Sequence, residues 1–281
     1  MADIWVISDA KPGHLNQSLG LAEALVRLKP DLSFEIKPVS DRWRLLTSSQ
    51  APKLIISAGR RTHLWNWLAK LRYGAKNIVL MRPSLPYACF DLALVPEHDV
   101  PPKSVRVVAT LGALNRIRPM AKLSNSRAVL VGGPSKHIDW DNTIVLNAIK
   151  RLSADYLDIC VVTSRRTPVE IEDYVSSHCL GKLVRPSDVP ANWLPSFLGQ
   201  QEHVFVTADS VSMVYESLTA GAKVSLIELP VKMGSRVQSG LKTLIDKRWV
   251  GLISSPEVEL KDNLFNESER CARLVLERSW L

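Results

Sequence analysis

The stretch "TADSVSMVYESLTAGAKV", Thr207–Val224, brings together residue types that can hold a charged ligand at the tip of a helix. Val211, Val214, Tyr215 and Leu218 fall at helical spacing, which predicts a helix lying on a sheet. Asp209 or Ser210 can cap its start, and Gly221 sits at the position that ends it. Glu216 is six residues after Ser210, outside the three-residue spacing of a capping box. Ser212 and Glu216 are four apart and share a different side of the helix from the apolar stripe. The free N–H groups at the tip, with Ser210 and Ser212, suit a diphosphate. Glu216, one turn further on, suits the hydroxyls of a ribose. The bland alternative is an ordinary capped helix.

Four other loops carry comparable chemistry, each after an apolar run. In "SDAKPGHLNQ", Ser8–Gln17, Pro12-Gly13 makes a turn, Gly13 admits a ligand close to the backbone, and His14 stands at a helix start. Histidine there can act as a general base, and the helix N-terminus disfavours its cation. In "SAGRRTH", Ser57–His63, Gly59 permits a tight turn, and Arg60 and Arg61 can bind an anion, unless they are simply solvated. In "VGGPSKHIDWD", Val131–Asp141, Gly132, Gly133, Ser135 and Lys136 could offer backbone N–H groups and charge to a phosphate. That loop lacks both the Walker A and the G-x-G-x-x-G spacings, so a P-loop, nicotinamide or flavin site is not supported. Asp141 reads as the N-cap of a helix from about Asn142, in preference to half of a metal-binding Asp-x-Asp pair. In "TSRRTP", Thr163–Pro168, Ser164, Arg165 and Arg166 are donors suited to phosphate, and Pro168 suits the first helical position.

Such loops need strands and helices to position them. "DIWVI", "SFEIKPV", "KLIIS", "NIVLM", "DLALV" and "VRVVA" read as strands, the second at an edge because Pro38 lacks a donor. "LNQSLGLAEALVRL" is helical, with Leu15, Leu19, Ala22 and Val26 on one stripe, and "THLWNWLAKLRY" is also helical. After the polar join "NRIRPMAKLSNS" the pattern restarts, with strands at "RAVLVGG", "LDICVVT", "KLV", "HVFVT", "KVSLI" and "WVGLI". This alternation predicts an α/β protein with two parallel, doubly wound sheets, in which ligands sit beyond the carboxyl ends of the strands.

With 281 residues, 46% hydrophobic and 23% charged, the chain has the composition of a soluble protein of two domains. It has no run of some twenty apolar residues to span a membrane, and its start lacks a signal-peptide pattern, so a cytoplasmic location is expected. Its four cysteines have no metal spacing and read as reduced thiols. Residues 1–123 carry 18 Lys and Arg against 9 Asp and Glu, and residues 124–281 carry 18 against 19. The excess suggests a basic face for an anionic partner or membrane surface. No nucleic-acid recognition motif is present, so nucleic acid is not expected as a partner.

The two α/β units, the Gly-His loop and the Ser-rich helix tip followed by Glu together resemble GT-B glycosyltransferases. More narrowly, "SDAKPGHLNQSLGLAEAL", "SAGRRT", "FDLALVPEHD", "TLGALNRI", "VLVGGPSKHIDWD", "VTSRRTP" and "VTADSVSMVYESLTAG" resemble bacterial members of the mitochondrial-fission ELM (elongated mitochondria) family. The resemblance implies two Rossmann-like domains facing each other across a cleft. Residues 1–123 would be the acceptor side and residues 124–281 the nucleotide-sugar side, with the last helix free to pack back on the first domain. It implies that Ser210, Ser212 and Met213 meet the diphosphate, with Asp209 beside them, and that Glu216 meets the ribose. Gly13, His14 and Asn16 would face the acceptor, with His14 as the base. Such enzymes usually need no metal, so no cofactor is expected beyond the nucleotide-sugar substrate. The acceptor would be an anionic envelope glycolipid at the inner face of the inner membrane. Where the family has Gly-Arg-x-Gly-His in the first loop, this chain has Asp-Ala-Lys-Pro-Gly-His, which is stiffer. The alternatives are a non-catalytic recruitment protein, as for plant relatives that bring a dynamin-like protein to mitochondria, and a nucleotide-sugar epimerase.

Overall fold

The structure is a computed structural model that describes residues 2–135, 138–190, 192–230, 236–261 and 265–281. The chain forms two compact units, Met1–Arg116 with Asn266–Leu281, and Ile117–Phe265. The sequence reading placed the junction at residues 123 and 124. Residues 117–123 go instead with the second unit, because Met120 N–H donates to the Gly199 carbonyl and Leu123 N–H to the Gln200 carbonyl. The Lys122 ammonium adds bonds to the carbonyls of Gly199 (3.0 Å) and Ala220 (2.6 Å).

In the first unit, strands β1 (Ile4–Ser8), β2 (Phe34–Pro38), β3 (Leu54–Ala58), β4 (Lys76–Leu80), β5 (Leu92–Pro96) and β6 (Val107–Thr110) form one sheet in the order β2-β1-β3-β4-β5-β6. Every pairing is parallel. β1, β3 and β5 are buried throughout, as continuous apolar runs require when helices cover both faces. β2, which ends in Pro38, is the edge strand. Between the strands lie α1 (Pro12–Leu28), α2 (Arg42–Thr47) and α3 (His63–Tyr73). α2 shows no period in the sequence because it has only six residues.

Ile4, Val6, Leu54, Ile56 and Ile78 face α1, and Trp5, Ile7 and Ile55 face Leu45 of α2 and Ala69 of α3. The last helix, α9 (Glu267–Glu277), closes the first of these cores with Cys271, Ala272 and Val275. Burial pushes the Cys271 thiol up to about 12. Glu267 accepts from Leu111 N–H (2.9 Å), and the Ser268 hydroxyl donates to the Asn115 carbonyl (2.7 Å). α1 is therefore buried beyond its predicted stripe, through Gly20, Leu21, Ala24 and Leu25.

The second unit contains β7 (Arg127–Leu130), α4 (Asn142–Asp155), β8 (Ile159–Val162), α5 (Val169–Ser177), β9 (Lys182–Val184) and α6 (Trp193–Gln200). It continues with β10 (His203–Thr207), α7 (Val211–Thr219), β11 (Lys223–Ile227), α8 (Arg236–Asp246) and β12 (Gly251–Leu252). Its parallel sheet has the order β12-β11-β10-β7-β8-β9. Asp141 caps α4 by accepting from Thr143 N–H at 2.7 Å, and Gly221 follows α7 with φ +77°. Pro168 is the N-cap of α5, one residue ahead of the predicted position.

The direction of winding reverses between β1 and β3 in one sheet and between β7 and β10 in the other. Ligands of open α/β sheets collect at the carboxyl ends of such strand pairs. The loops after these four strands, residues 9–17, 59–62, 131–135 and 208–210, are among those singled out by residue type. A fold-level prediction concerns Gly20, where a Cβ would run into the backbone carbonyl of Asn115. Gly20→Ala is expected to cost about 1–3 kcal/mol, read as a lower urea midpoint at unchanged slope.

Candidate functional site

At the carboxyl end of β1, the Asp9 carboxylate holds His14. Its oxygens lie 3.0 and 3.1 Å from Nδ1, and Oδ1 also accepts from Lys11 N–H. The Asp9 side chain is buried and the imidazole is half-buried. A carboxylate only accepts, so Nδ1 carries the proton and Nε2 presents its lone pair. Pro12 takes the first position of α1, which puts His14 third in its opening turn. Gly13 is helical rather than part of a turn, and a Cβ there would meet open space. Asn16 is half-buried beside it.

Gly59, after β3, has φ +93°, and any side chain on it would strike the His14 ring. Its role is thus to make room for the histidine. Arg60 and Arg61 are exposed, and no hydrogen bond or ion pair engages either guanidinium among the described residues. Ala10 and Met81, after β1 and β4, hold φ of +62° and +69°. Strain of this kind in non-glycine residues gathers at functional sites. Nearby, the Ser84 N–H donates to His63 Nδ1 (3.0 Å), so the proton of that ring is on Nε2, which is buried without a partner. Burial, then the neighbouring His14, pushes His63 down to about 4. Asp9 and His63 were not among the residues picked from the sequence. Their relation to His14 runs through loops and separate strands, where spacing carries no signal.

In the second unit the strand ends converge on Asp209. Its buried carboxylate accepts from Gly133 N–H (3.0 Å), the Thr207 hydroxyl (2.7 Å) and the Arg166 guanidinium (2.8 Å). Gly132 N–H donates to Thr207 Oγ1 (2.8 Å). Arg166 also donates to the Gly133 carbonyl (2.8 Å), and the Ser164 hydroxyl donates to the Gly132 carbonyl (3.0 Å). This corrects the expected phosphate cradle, because both glycine N–H groups are already used within the protein. A Cβ on Gly132 would collide with Asp209, and one on Gly133 with the Arg166 backbone. The glycines are there for close loop packing. Asp209 likewise neither caps α7 nor faces a ligand with a free oxygen. Arg165 remains exposed, on an open hollow of about 500 Å³ shared with Ser164, Thr167, Glu172 and Arg185. Ser135 is half-buried, and Lys136 lies outside the described residues.

Ser210 occupies the N-cap of α7, yet among the described residues its side chain makes no capping bond and reaches only the Ser212 hydroxyl, at 3.5 Å. The first turn of α7, through Met213, therefore keeps amide groups free for an anion. Ser212 is exposed and Met213 half-buried. Glu216 lies one turn on from Ser212, and its carboxyl has no hydrogen-bond partner among the described residues. Surrounding protein atoms strip water from its carboxyl and push it up to about 7. A larger hollow of about 800 Å³ lies at the opposite ends of the strands, lined by Arg127, His203, Lys223 and Gly251. It is away from the switch point and from the α7 tip.

A model of the family described as Mitochondrial fission ELM1 matches residues 12–279. The chain belongs to this family. An uncharacterised protein of Rickettsia prowazekii is 22% identical, over 97% of each chain. Among solved structures, a protein assigned as a UDP-N-acetylglucosamine 2-epimerase from Listeria monocytogenes has a TM-score of 0.57 at 12% identity, covering 99% of this chain and 88% of its own. The ADP-heptose lipopolysaccharide heptosyltransferase II of Escherichia coli has a TM-score of 0.54 at 10% identity, covering 99% and 100%. This member of the ELM1 family therefore has the GT-B type of fold, two Rossmann-like domains shared by glycosyltransferases and epimerases.

Two predictions follow from these contacts. Asp209→Ala strands the Gly133 N–H and the Arg166 guanidinium, and is expected to cost the second unit about 2–4 kcal/mol, measured by chemical denaturation. Glu216 ionises less readily folded than unfolded, so the folded state holds more protons between its ordinary 4.5 and about 7. Stability should fall across that window by up to ~3 kcal/mol. Glu216→Gln should flatten this slope and raise stability above pH 7, read from melts against pH.

Proposed function

We propose that the protein is a metal-independent glycosyltransferase that uses a nucleotide-sugar donor. The observation that supports this most is the uncapped tip of α7, with Ser210 and Ser212 beside it and the desolvated, unpartnered Glu216 one turn further on. The tip would take the diphosphate, and Glu216 would accept hydrogen bonds from the ribose hydroxyls. Arg165, free and exposed after β8, would add charge beside them. Glycosyltransferases and epimerases of the same fold whose names specify UDP or ADP sugars support the donor class.

His14 would act on the acceptor. With Nδ1 held by Asp9, its Nε2 takes the proton of the acceptor hydroxyl as that oxygen bonds to the anomeric carbon. The bond from that carbon to the diphosphate breaks at the same time, and the α7 N–H groups receive the developing negative charge. Gly13, which the protein's own packing does not require, would let the acceptor approach the backbone, with Asn16 on the same helix and Arg60 and Arg61 in the loop after β3. The surplus of Lys and Arg in residues 1–123 and the two unengaged arginines support an anionic acceptor such as an envelope glycolipid, met at a membrane surface. No described helix is long and apolar enough to cross a membrane.

Calorimetric titration with UDP, ADP, GDP and CMP tests the donor site, and at least one should bind. A folded sample that binds none of them excludes a nucleotide-sugar enzyme. In the enzyme reading, His14→Ala lowers transfer by about 10²–10⁴-fold while nucleotide affinity is kept. Full cellular function in that variant would point instead to a recruitment protein. An inverted sugar on unchanged nucleotide, seen by NMR, would point to an epimerase.

A further inference from the structure

α3 carries an apolar ridge on its outward side. A helix on a sheet normally turns its apolar stripe to the core. Here the buried positions are His63, Asn66 and Ala69. The Asn66 amide donates to Ser57 Oγ (2.8 Å) and the Ile78 carbonyl (3.1 Å), and its oxygen accepts from Asn77 (2.7 Å). The helix is thus fastened to the sheet by a polar network together with Ala69, Trp65 and Tyr73, which pack with Trp5, Ile7 and Ile55. Its leucines lie on the other side. Leu64 and Leu71 are 46% and 61% exposed, and Leu68 between them is half-buried. At spacings of four and three residues they form one ridge.

Cations flank that ridge. Arg61 precedes Leu64 and Arg72 follows Leu68, each by about one turn, and both are exposed. The neighbouring α2 repeats the combination, with Trp43 69% exposed between the exposed Arg42 and Arg44. The Arg42 guanidinium lies over the Trp65 ring of α3 at 5.8 Å and joins the two helices. Neither helix contains an acidic residue, and Asp41, just ahead of α2, lies against Arg44 at 3.4 Å.

Exposed leucines and tryptophan beside a surplus of arginines, of which Arg44 alone has an acidic partner among the described residues, suit a partner that is apolar inside and anionic outside. A second copy of the chain meeting this face about a two-fold axis would set the two arginine rims against each other, which is repulsive. An anionic bilayer meets both demands: its headgroups pair with the arginines, and its acyl boundary takes the leucines and the indole. We propose that α2 and α3 form an interfacial anchor that seats the first unit on an anionic phospholipid surface. The anchor deepens the reading of a membrane-borne acceptor, and apart from Arg61 it rests on residues outside the sugar-transfer machinery, so each can fail without the other.

The test is flotation of the full chain with vesicles of phosphatidylcholine, with and without phosphatidylglycerol, at low and high salt. Binding is expected with phosphatidylglycerol and should weaken with salt. Leu64→Ser with Leu71→Ser should lower partitioning about tenfold or more, Trp43→Ala should lower it several-fold, and Arg72→Ala should reduce the salt dependence. All these side chains are exposed, so unfolding temperatures and nucleotide titrations of the variants should match the parent. Vesicle binding unchanged in the double leucine variant overturns the anchor, as does binding indifferent to phosphatidylglycerol. A parent chain that sediments as a dimer, with the double leucine variant monomeric, also overturns it, because a second copy then covers the ridge. Nucleotide binding without vesicle binding removes the anchor alone, and vesicle binding without nucleotide binding removes the enzyme alone.

Discussion

The carboxylate of Asp209 has no solvent-exposed surface and receives bonds from the loop after β7, the end of β10 and the loop after β8. A buried charge is tolerable only when its bonds are satisfied, so these three strand ends must come together around it. That demand explains the two glycines at 132 and 133, which let the β7 loop lie against Asp209 and Arg166. It also decides which donors remain for a ligand. Arg166, Ser164 and both glycine N–H groups are used in holding the loops. The α7 tip, which follows Asp209 directly, keeps its own amides.

The first unit uses the same device on a smaller scale. Asp9 is buried at the end of β1, fixes the tautomer of His14 and leaves Nε2 as an acceptor. Gly59 clears the volume that the ring occupies. In both units a carboxylate just past the end of a strand, at the place where the winding of the sheet reverses, organises the candidate loops. One orients the His14 imidazole and the other stands just ahead of an uncapped helix terminus.

Much of this was legible in the sequence. Apolar runs in alternation with helical spacing gave the strands, Pro38 marked the edge, and Asp141 and Gly221 marked helix ends, because each of these is a local relation. The spent donors of Gly132 and Gly133 were not legible, since their partners lie more than seventy residues away. The return of residues 266–281 to the first unit was expected from the family resemblance alone, because the contacts that fix it, Ser268 and Glu267 with the backbone of Asn115 and Leu111, span more than 150 residues. The outward side of α3 shows a further limit. Periodicity predicts that "THLWNWLAKLRY" is a helix, but the polar network of Asn66, Ser57 and Asn77 decides which side faces the sheet.

On the function proposed above, the amides opening α7 receive the diphosphate of a nucleotide and the carboxyl of Glu216 receives its ribose. Amide hydrogen exchange, with and without the nucleotide that binds best, tests it most directly. Slowed exchange confined to the start of α7, residues 210–216, is the predicted result. A nucleotide that binds and leaves those amides unchanged, while protecting the hollow around Arg127, His203 and Lys223, would contradict it.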